Sequence, residues 1–580
     1  MAQDLRTQTG DLPAAYRAAG YRAAGLWTGA SLAGLVPAAA AAHPDRELFC
    51  YEGTRVSYGD FDAWTRLVAL DLVARGVRRG DRVLVQLPNR LEALVLQVAA
   101  FRAGAVDVPV VPIYRTHEMR QILADCRPTV VCSTPALGER NPAEELDGLL
   151  AELGQQPAVR YLLGGARPGW EPVPEPDAVP TTDPVPAMDP AQTKDPVPTT
   201  DAGTGGIGGT ALPEPPPPEE PVLLLYTSGT TAAPKGALLS SRAVIAHLTN
   251  FRDALGAGEH TVTLAATPLS HLGGFVAAVV FPAFVGGRSV IMPAWRPDEA
   301  VELIARERVN LMMGATVFVS DLVQRYERTP QGTYRLPTYA AAGATLAPEV
   351  VDRAAAVGVD VVRAYGMTET AGVCAISSAD EPLERRRAWD GRLLPGMEIQ
   401  AVDDERRLVP PGEVGHLRIR GPQLLTGYTD EQLTTAQIDG DGWFYPGDLG
   451  QVDDQGWVRV AGRTKDIVNR GGEKFSTLDI ELAIGSHPGV RAVAVTAVPD
   501  DRLGEAVGAW LVVDDDVRDA GPAPLLAHLR ERNLATQKFP VEWHLVAGIP
   551  VTASGKVRKH ALADLPTQQT WTTRPEGPRT

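Results

Sequence analysis

The sequence predicts an α/β protein in two parts, a large N-terminal domain of layered sheets and helices followed by a small C-terminal α+β domain. Three observations predict this. A chain of 580 residues exceeds the size at which a single hydrophobic core stops growing. Short apolar runs alternate with helical patterns over 48–165 and again from 222 to about Arg463, the rhythm of parallel strands joined by crossover helices. After Thr464-Lys465-Asp466 a smaller unit follows, with strands expected over 491–498 and 506–513 and a helix over 523–533. The expected domains are therefore 1–464 and 465–580.

Taken in order, the Ala-rich stretch 26–42 runs into His43-Pro44-Asp45, which reads as the end of a helix. It imitates the apolar core of a secretory leader, but Asp4 and Asp11 precede it and Pro37 interrupts it, so the expected location is cytoplasmic. Residues 82–87 read as a strand, 90–103 as an amphipathic helix and 106–111 as a second strand. The pattern then breaks over about 167–221, where Asp-Pro-Val-Pro recurs at 183–186 and 195–198 and Pro-Thr-Thr-Asp at 180–183 and 198–201. With almost no large apolar residue such a tract cannot offset its ordering entropy, and it reads as a disordered insertion that leaves the catalytic machinery intact. The glycines of 203–209 belong to it, since no strand precedes them and no helix follows. The tail after Leu565 is polar and reads as loose.

A formal charge of −16 argues against a nucleic-acid binder, so any anionic nucleotide must be held by a few local groups. The 4 cysteines form no C-x-x-C pair and suit small buried hydrophobes in a reducing compartment. No run reaches the roughly 20 apolar residues of a membrane span.

The chemistry is concentrated where Val222-Leu223-Leu224-Leu225, a buried-strand pattern, runs into Tyr226-Thr227-Ser228-Gly229-Thr230-Thr231-Ala232-Ala233-Pro234-Lys235-Gly236. Glycines that permit close backbone approach, neutral hydroxyl donors and one lysine are what a polyphosphate cradle requires. A Walker loop cannot be laid on it, and alone it could equally be a hydroxyl-rich surface turn. Four further segments follow: Ala364-Tyr365-Gly366-Met367-Thr368-Glu369-Thr370, Phe444-Tyr445-Pro446-Gly447-Asp448-Leu449, Gly462-Arg463-Thr464-Lys465-Asp466 and Pro550-Val551-Thr552-Ala553-Ser554-Gly555-Lys556. In this order and spacing, the chain resembles the adenylate-forming superfamily of acyl-CoA synthetases, peptide-synthetase adenylation domains and luciferases, from about Ala39 to Ala563 and excluding the insertion.

The resemblance implies a fold, a large adenylate-forming domain with a small mobile C-terminal lid, and a reaction. A carboxylic acid is joined to the α-phosphate of ATP and then passed to a thiol, here CoA. Because two anions must meet, the site has to neutralise charge without blocking in-line attack. By resemblance, Thr227, Ser228, Gly229, Thr230, Thr231 and Lys235 hold the β- and γ-phosphates; Thr368 bonds the α-phosphate and Glu369 holds Mg2+. Gly343, Ala344, Tyr365 and Gly366 line the purine, Asp448 accepts from the ribose hydroxyls and Arg463 assists there. Lys556 serves adenylation, Lys465 is the hinge, and Gly471 and Gly472 border the CoA channel. His271 gates the acid and thiol channels, while Phe275, Thr316 and Val317 form the acid pocket. The surroundings of Trp295, Gly314-Ala315-Thr316 and Gly391-Arg392 most resemble ligases for alicyclic, aromatic or medium-chain acids, in a secondary-metabolic role. The other implied possibilities are a carrier-protein thiol or an amine as acceptor, or nitrite as the acid in diazo formation. Ala232 stands where relatives usually have glycine, and Thr477 where proline is common.

Overall fold

The computed structural model describes residues 14–176, 210–227, 234–344, 346–470, 473–500, 504–552 and 556–573. Two large sheets form the N-terminal part among the described residues. One runs Arg392–Leu393, Gly372–Ile376, Asp360–Met367, Thr338–Ala341, Leu311–Gly314, Val262–Ala265, Arg288–Ile291, Glu47–Tyr51, Thr54–Ser57. It is parallel from Asp360–Met367 through to Glu47–Tyr51 and antiparallel at both edges. The second contains Pro221–Thr227 beside Val106–Pro109, and on through Arg82–Val85 and Val130–Ser133 to Glu171–Pro172. Residues from both sheets, including Val83, Leu223, Ile291 and Val362, share one buried core with the helices between them.

That sandwich explains a correction. The segment 90–103 reads as amphipathic, yet the helix Leu91–Arg102 is buried at every position. Its polar residues reach partners inside the protein: Gln97 Nε2 donates to the Leu269 carbonyl at 3.1 Å and Arg102 pairs with Asp62 at 2.6 Å. Buried polar groups are tolerated when they are bonded in this way.

The insertion is shorter than its composition suggests. Trp170 and Val173 are buried, Glu171–Pro172 adds a parallel edge strand to Val159–Leu162, and Trp64 Nε1 donates to the Pro174 carbonyl at 2.9 Å. On the far side Leu212 packs against the core and Arg79 pairs with Glu220. A few apolar anchors are enough to tie down both flanks of a polar tract; the repeats themselves lie within 177–209, outside the described residues.

A four-stranded sheet follows, Glu398–Val402, Gly415–Arg420, Asp448–Val452 and Val458–Arg463. The chain leaves it through a short turn, Thr464–Asp466, and enters a separate six-stranded sheet with its own core around Val468, Ile484, Leu511 and Trp543. Strands Val490–Asp500 and Gly504–Val513 and the helix Ala523–Glu531 stand where the pattern predicts. The tail is a second correction: Gln569–Thr572 pairs antiparallel with Glu542–Leu545, setting Trp571 opposite Trp543. Trp571 is buried, and one large apolar side chain in a polar segment supplies the anchor.

Candidate functional site

Four neighbouring strands of the nine-stranded sheet deliver their following residues to one crevice. Val262–Ala265 leads to His271, Leu311–Gly314 to Thr316, Thr338–Ala341 to Gly343 and Ala344, and Asp360–Met367 to Thr368 and Glu369. The carboxyl ends of parallel strands are where open α/β sheets bind ligands, because the loops there are free to vary on a rigid support. The strands on either side of the hydroxyl-rich segment pair antiparallel, with Thr227 and Lys235 facing each other. This register puts Lys235 at the start of the second strand, where burial lowers its pKa, Glu369 opposes that shift and Lys465 adds to it. Ser228, Gly229, Thr230 and Thr231 lie outside the described residues.

Glu369 sits in a tight turn, Thr368–Thr370, that is pinned on several sides. The Leu425 amide donates to its carbonyl at 2.8 Å and the Tyr428 hydroxyl to its Oε1 at 3.1 Å. Gly366, just before the turn, has no room for a side chain, since a Cβ would stand 2.2 Å from the Gly372 carbonyl oxygen. Its glycine is therefore dictated by strand packing.

Asp448 and Arg463 are cross-strand partners, and the guanidinium meets Asp448 Oδ1 at 3.1 Å. The Tyr365 hydroxyl donates to Asp448 Oδ2 at 2.8 Å. This tyrosine–aspartate bond was not legible in the sequence, which suggested only a ring beside the purine. Burial, followed by the Asp448 charge, holds the Tyr365 hydroxyl protonated and hence a donor.

Lys556 comes from the small domain on a hairpin closed by the Val551–Val557 bridge. The Thr552 amide donates to the Lys556 carbonyl at 2.7 Å, and the Lys556 amide returns a bond to Thr552 Oγ1 at 3.1 Å. Its Cε lies 3.9 Å from where a Cβ would stand on Gly343, whose φ is +87°. Burial and then Arg463 lower the Lys556 pKa, while Glu369 and Asp448 oppose that. His271 is lowered to about 4, first by burial and then by the Lys556 charge. The imidazole facing the lysine is neutral at physiological pH.

On the acid side the expected residues separate. Thr316 opens the helix Thr316–Tyr326 and Val317 is 47% exposed, whereas Phe275 is buried against Phe101 at 5.8 Å in the shared core. Gly273 rather than Phe275 faces open space. Lys465 occupies the turn between the last strand of the four-stranded sheet and the small domain, and Gly471 and Gly472 lie outside the described residues.

Known proteins are similar to this chain over most of its length. Residues 36–429 match the model of the AMP-binding enzyme family and residues 479–556 that of the AMP-binding enzyme C-terminal domain. The chain is 31% identical to a medium-chain fatty-acid–CoA ligase of Escherichia coli (strain K12), over 94% of this chain and 92% of that protein. It is 30% identical to a 2-hydroxy-7-methoxy-5-methyl-1-naphthoate–CoA ligase of Streptomyces carzinostaticus, over 94% of this chain and 95% of the relative. Among solved structures, ATP-bound MatB from Rhodopseudomonas palustris is 28% identical with a TM-score of 0.77, over 92% of this chain and 98% of that one. The apo form of the same enzyme gives a TM-score of 0.68 at 27% identity, over 93% and 99%.

Proposed function

The chain belongs to the AMP-binding enzyme family, adenylate-forming ligases of the acyl-CoA ligase kind, and from that premise we propose that it activates a small carboxylic acid with ATP and passes the acyl group to CoA. The observation that carries the reading is the placement of Lys556. A cation on a hairpin of the small domain reaches Gly343 and is close enough to Glu369, Asp448, Arg463 and His271 to feel or impose their charges.

In the first half-reaction the acid carboxylate attacks the α-phosphorus in line, an acyl–phosphate bond forms and pyrophosphate leaves. Lys556 would contact both the attacking carboxylate and an α-phosphate oxygen, a stabilisation that is largest when the two anions are closest. Thr368 would donate to the α-phosphate, Lys235 and the 227–231 segment to the leaving phosphates, and Asp448, oriented by Tyr365 and Arg463, would accept from the ribose. Among the described residues no group of three or more His, Cys, Asp or Glu side chains could hold a metal ion. Glu369 offers a hard carboxylate oxygen suited to Mg2+ that completes its shell with phosphate and water. When bound there Mg2+ would screen the phosphate charge.

In the second half-reaction the CoA thiolate attacks the acyl carbonyl and AMP departs. With Lys556 serving adenylation, the small domain would turn about Lys465 for the second step and bring Gly471 and Gly472 alongside the thiol. The TM-score is higher to the ATP-bound relative, 0.77, than to its apo form, 0.68, which supports reading the present arrangement as one that accepts the nucleotide. The acid is expected to be apolar beyond its carboxylate, given Val317, the neutral His271 and the tilted ring pair of Trp295 and Phe318, with centroids 4.5 Å apart.

The test is acid-dependent pyrophosphate exchange over alicyclic, aromatic and medium-chain acids, followed by mass detection of products with CoA. Adenylate plus acyl-CoA is the expected result. Exchange with no thioester from CoA, but product from a carrier protein, an amine or nitrite, would overturn the acceptor; no exchange with any acid would overturn the activity.

A further inference from the structure

We infer that Tyr428 is a positioning residue for Glu369, clamping that carboxylate to the strand that follows the hydroxyl-rich segment so that it is presented in one orientation to the nucleotide's metal ion. The inference rests on the metal-holding role proposed above for Glu369, and it concerns a residue in none of the motifs that suggested the function.

Three facts converge. Tyr428 is 4% exposed, and its hydroxyl lies 3.1 Å from Glu369 Oε1 and 2.7 Å from Gln437 Oε1. A phenol carries one proton and both oxygens as placed are acceptors; an ionised carboxylate can only accept, whereas the Gln437 amide can turn, so the proton is assigned to Glu369. Turning the Gln437 amide to offer its NH2 to the phenol oxygen satisfies both contacts, the two ends of such an amide being interchangeable in shape.

The backbone beneath Tyr428 is equally committed. Gly427 and Tyr428 pair antiparallel with Leu238 and Ala237 on the strand that begins at Lys235. The Thr429 amide donates to the Gly236 carbonyl at 2.9 Å, and Gly236 has no space for a side chain because a Cβ would meet Thr429 Oγ1 at 2.8 Å. On the other side the Tyr428 amide donates to Thr434 Oγ1 at 2.8 Å, and the Leu425 amide holds the Glu369 carbonyl at 2.8 Å. Residues 425–429 therefore tie the strand beginning at Lys235 to the turn that carries Glu369, by backbone on one edge and by the phenol at the carboxylate itself.

The chemical consequence is specific. A carboxylate free to rotate still attracts a cation but meets it in many geometries, and Mg2+ demands near-ideal octahedral placement. Groups that orient a metal ligand through a hydrogen bond are typically worth about 10- to 100-fold in metal affinity.

The experiment uses the full chain as Tyr428→Phe and measures ATP binding by calorimetry, with Mg2+ and with EDTA, alongside the Mg2+ dependence of pyrophosphate exchange. The expected result is about a tenfold rise in half-saturating Mg2+, with ATP affinity in EDTA unchanged within about twofold, a split that general damage to the fold would not produce. In a Glu369→Gln background Tyr428→Phe should have no further effect, since the partner it orients is gone. If Tyr428→Phe does not fold, Gln437→Leu removes the second partner of the hydroxyl and should move the Mg2+ requirement in the same direction by less. An unchanged Mg2+ requirement, equal weakening of ATP with and without Mg2+, or full additivity with Glu369→Gln would overturn the inference while leaving the ligase reading intact. Absence of any Mg2+ effect in the parent enzyme would sink the premise about Glu369 instead.

Discussion

The groups expected to hold the nucleotide and the group expected to drive its reaction are supported in opposite ways. Thr368, Glu369, Gly343, Asp448 and Arg463 stand on or close after strands of the nine- and four-stranded sheets, fixed by ladder bonds and by partners such as Tyr365 and Tyr428. Lys556 stands on a small hairpin of another domain, joined to the first through the turn Thr464–Asp466. Binding needs permanence, whereas a site used for two reactions needs one part that can withdraw. A rigid frame with a removable cation meets both demands.

The sharpest way to break this comparison is to remove the cation. Lys556→Ala should retain ATP binding and lose adenylation by on the order of 100-fold or more, the size of effect seen when an electrostatic transition-state donor is deleted. Nucleotide calorimetry and acid-dependent pyrophosphate exchange on the folded variant check it, and unchanged exchange would remove Lys556 from the mechanism. The joint is the next target. Lys465→Pro fixes φ and deletes a backbone donor at the turn, so adenylate should still form in a single turnover while thioester formation slows by at least about tenfold, about 1.4 kcal/mol of barrier. Quenched-flow measurement of both steps decides: equal losses indicate general damage, and no loss places the pivot elsewhere.

A pH profile sharpens the same contrast. Burial and Arg463 lower the Lys556 pKa from its ordinary 10.5, and the mechanism proposed above needs the protonated form. Activity attributable to this cation is complete below that lowered pKa and is lost as pH rises through it. In the kcat/KM profile for pyrophosphate exchange, which reports the free enzyme, the alkaline limb should begin below 10.5 for the parent. Lys556→Arg should be slower but lack that limb, because a guanidinium does not deprotonate in this range. An identical limb in both would assign it to another group.

The family and the large-plus-small α/β architecture were legible in the sequence because ordered short motifs and strand–helix alternation are local signals. Sequence reading had no access to what arises only when distant segments meet. The Tyr365–Asp448 bond joins residues 83 apart in the chain, and the Tyr428–Glu369 bond joins residues 59 apart. Phe275 reads as a pocket residue from its neighbours in sequence, yet the helix turns it into the core and leaves Gly273 facing open space. The flanks of the Pro-rich tract and the C-terminal tail read as loose because average composition hides single anchors, Trp170 and Trp571 among them.

The smallest effect comes from the contact that links the two parts away from the chemistry. Arg532, just beyond the helix Ala523–Glu531 of the small domain, meets Glu349 Oε1 at 2.8 Å in the first turn of the helix Pro348–Ala356 of the large one. Burial of Glu349 works against its charge, but the Arg532 bond, a backbone hydrogen bond and the charges of Arg532 and Arg387 together outweigh it, and its pKa is lowered. Since the pair exists in the arrangement that places Lys556 at Gly343, under the proposed mechanism it would favour adenylation over rotation. Both side chains are 41% exposed, and exposed pairs are worth about 0.2–1 kcal/mol, so the shift in balance between the half-reactions is limited to about fivefold. Arg532→Ala and Glu349→Ala should each raise the ratio of single-turnover thioester to adenylate rates by up to that factor. The double variant should do no more than either single one, because each already removes the whole interaction. Added salt should imitate the substitutions in the parent and do little in the variants. A ratio indifferent to both substitutions and to salt would show that the two domains are held together by the Lys556 hairpin and the turn at Lys465, with no contribution from this contact.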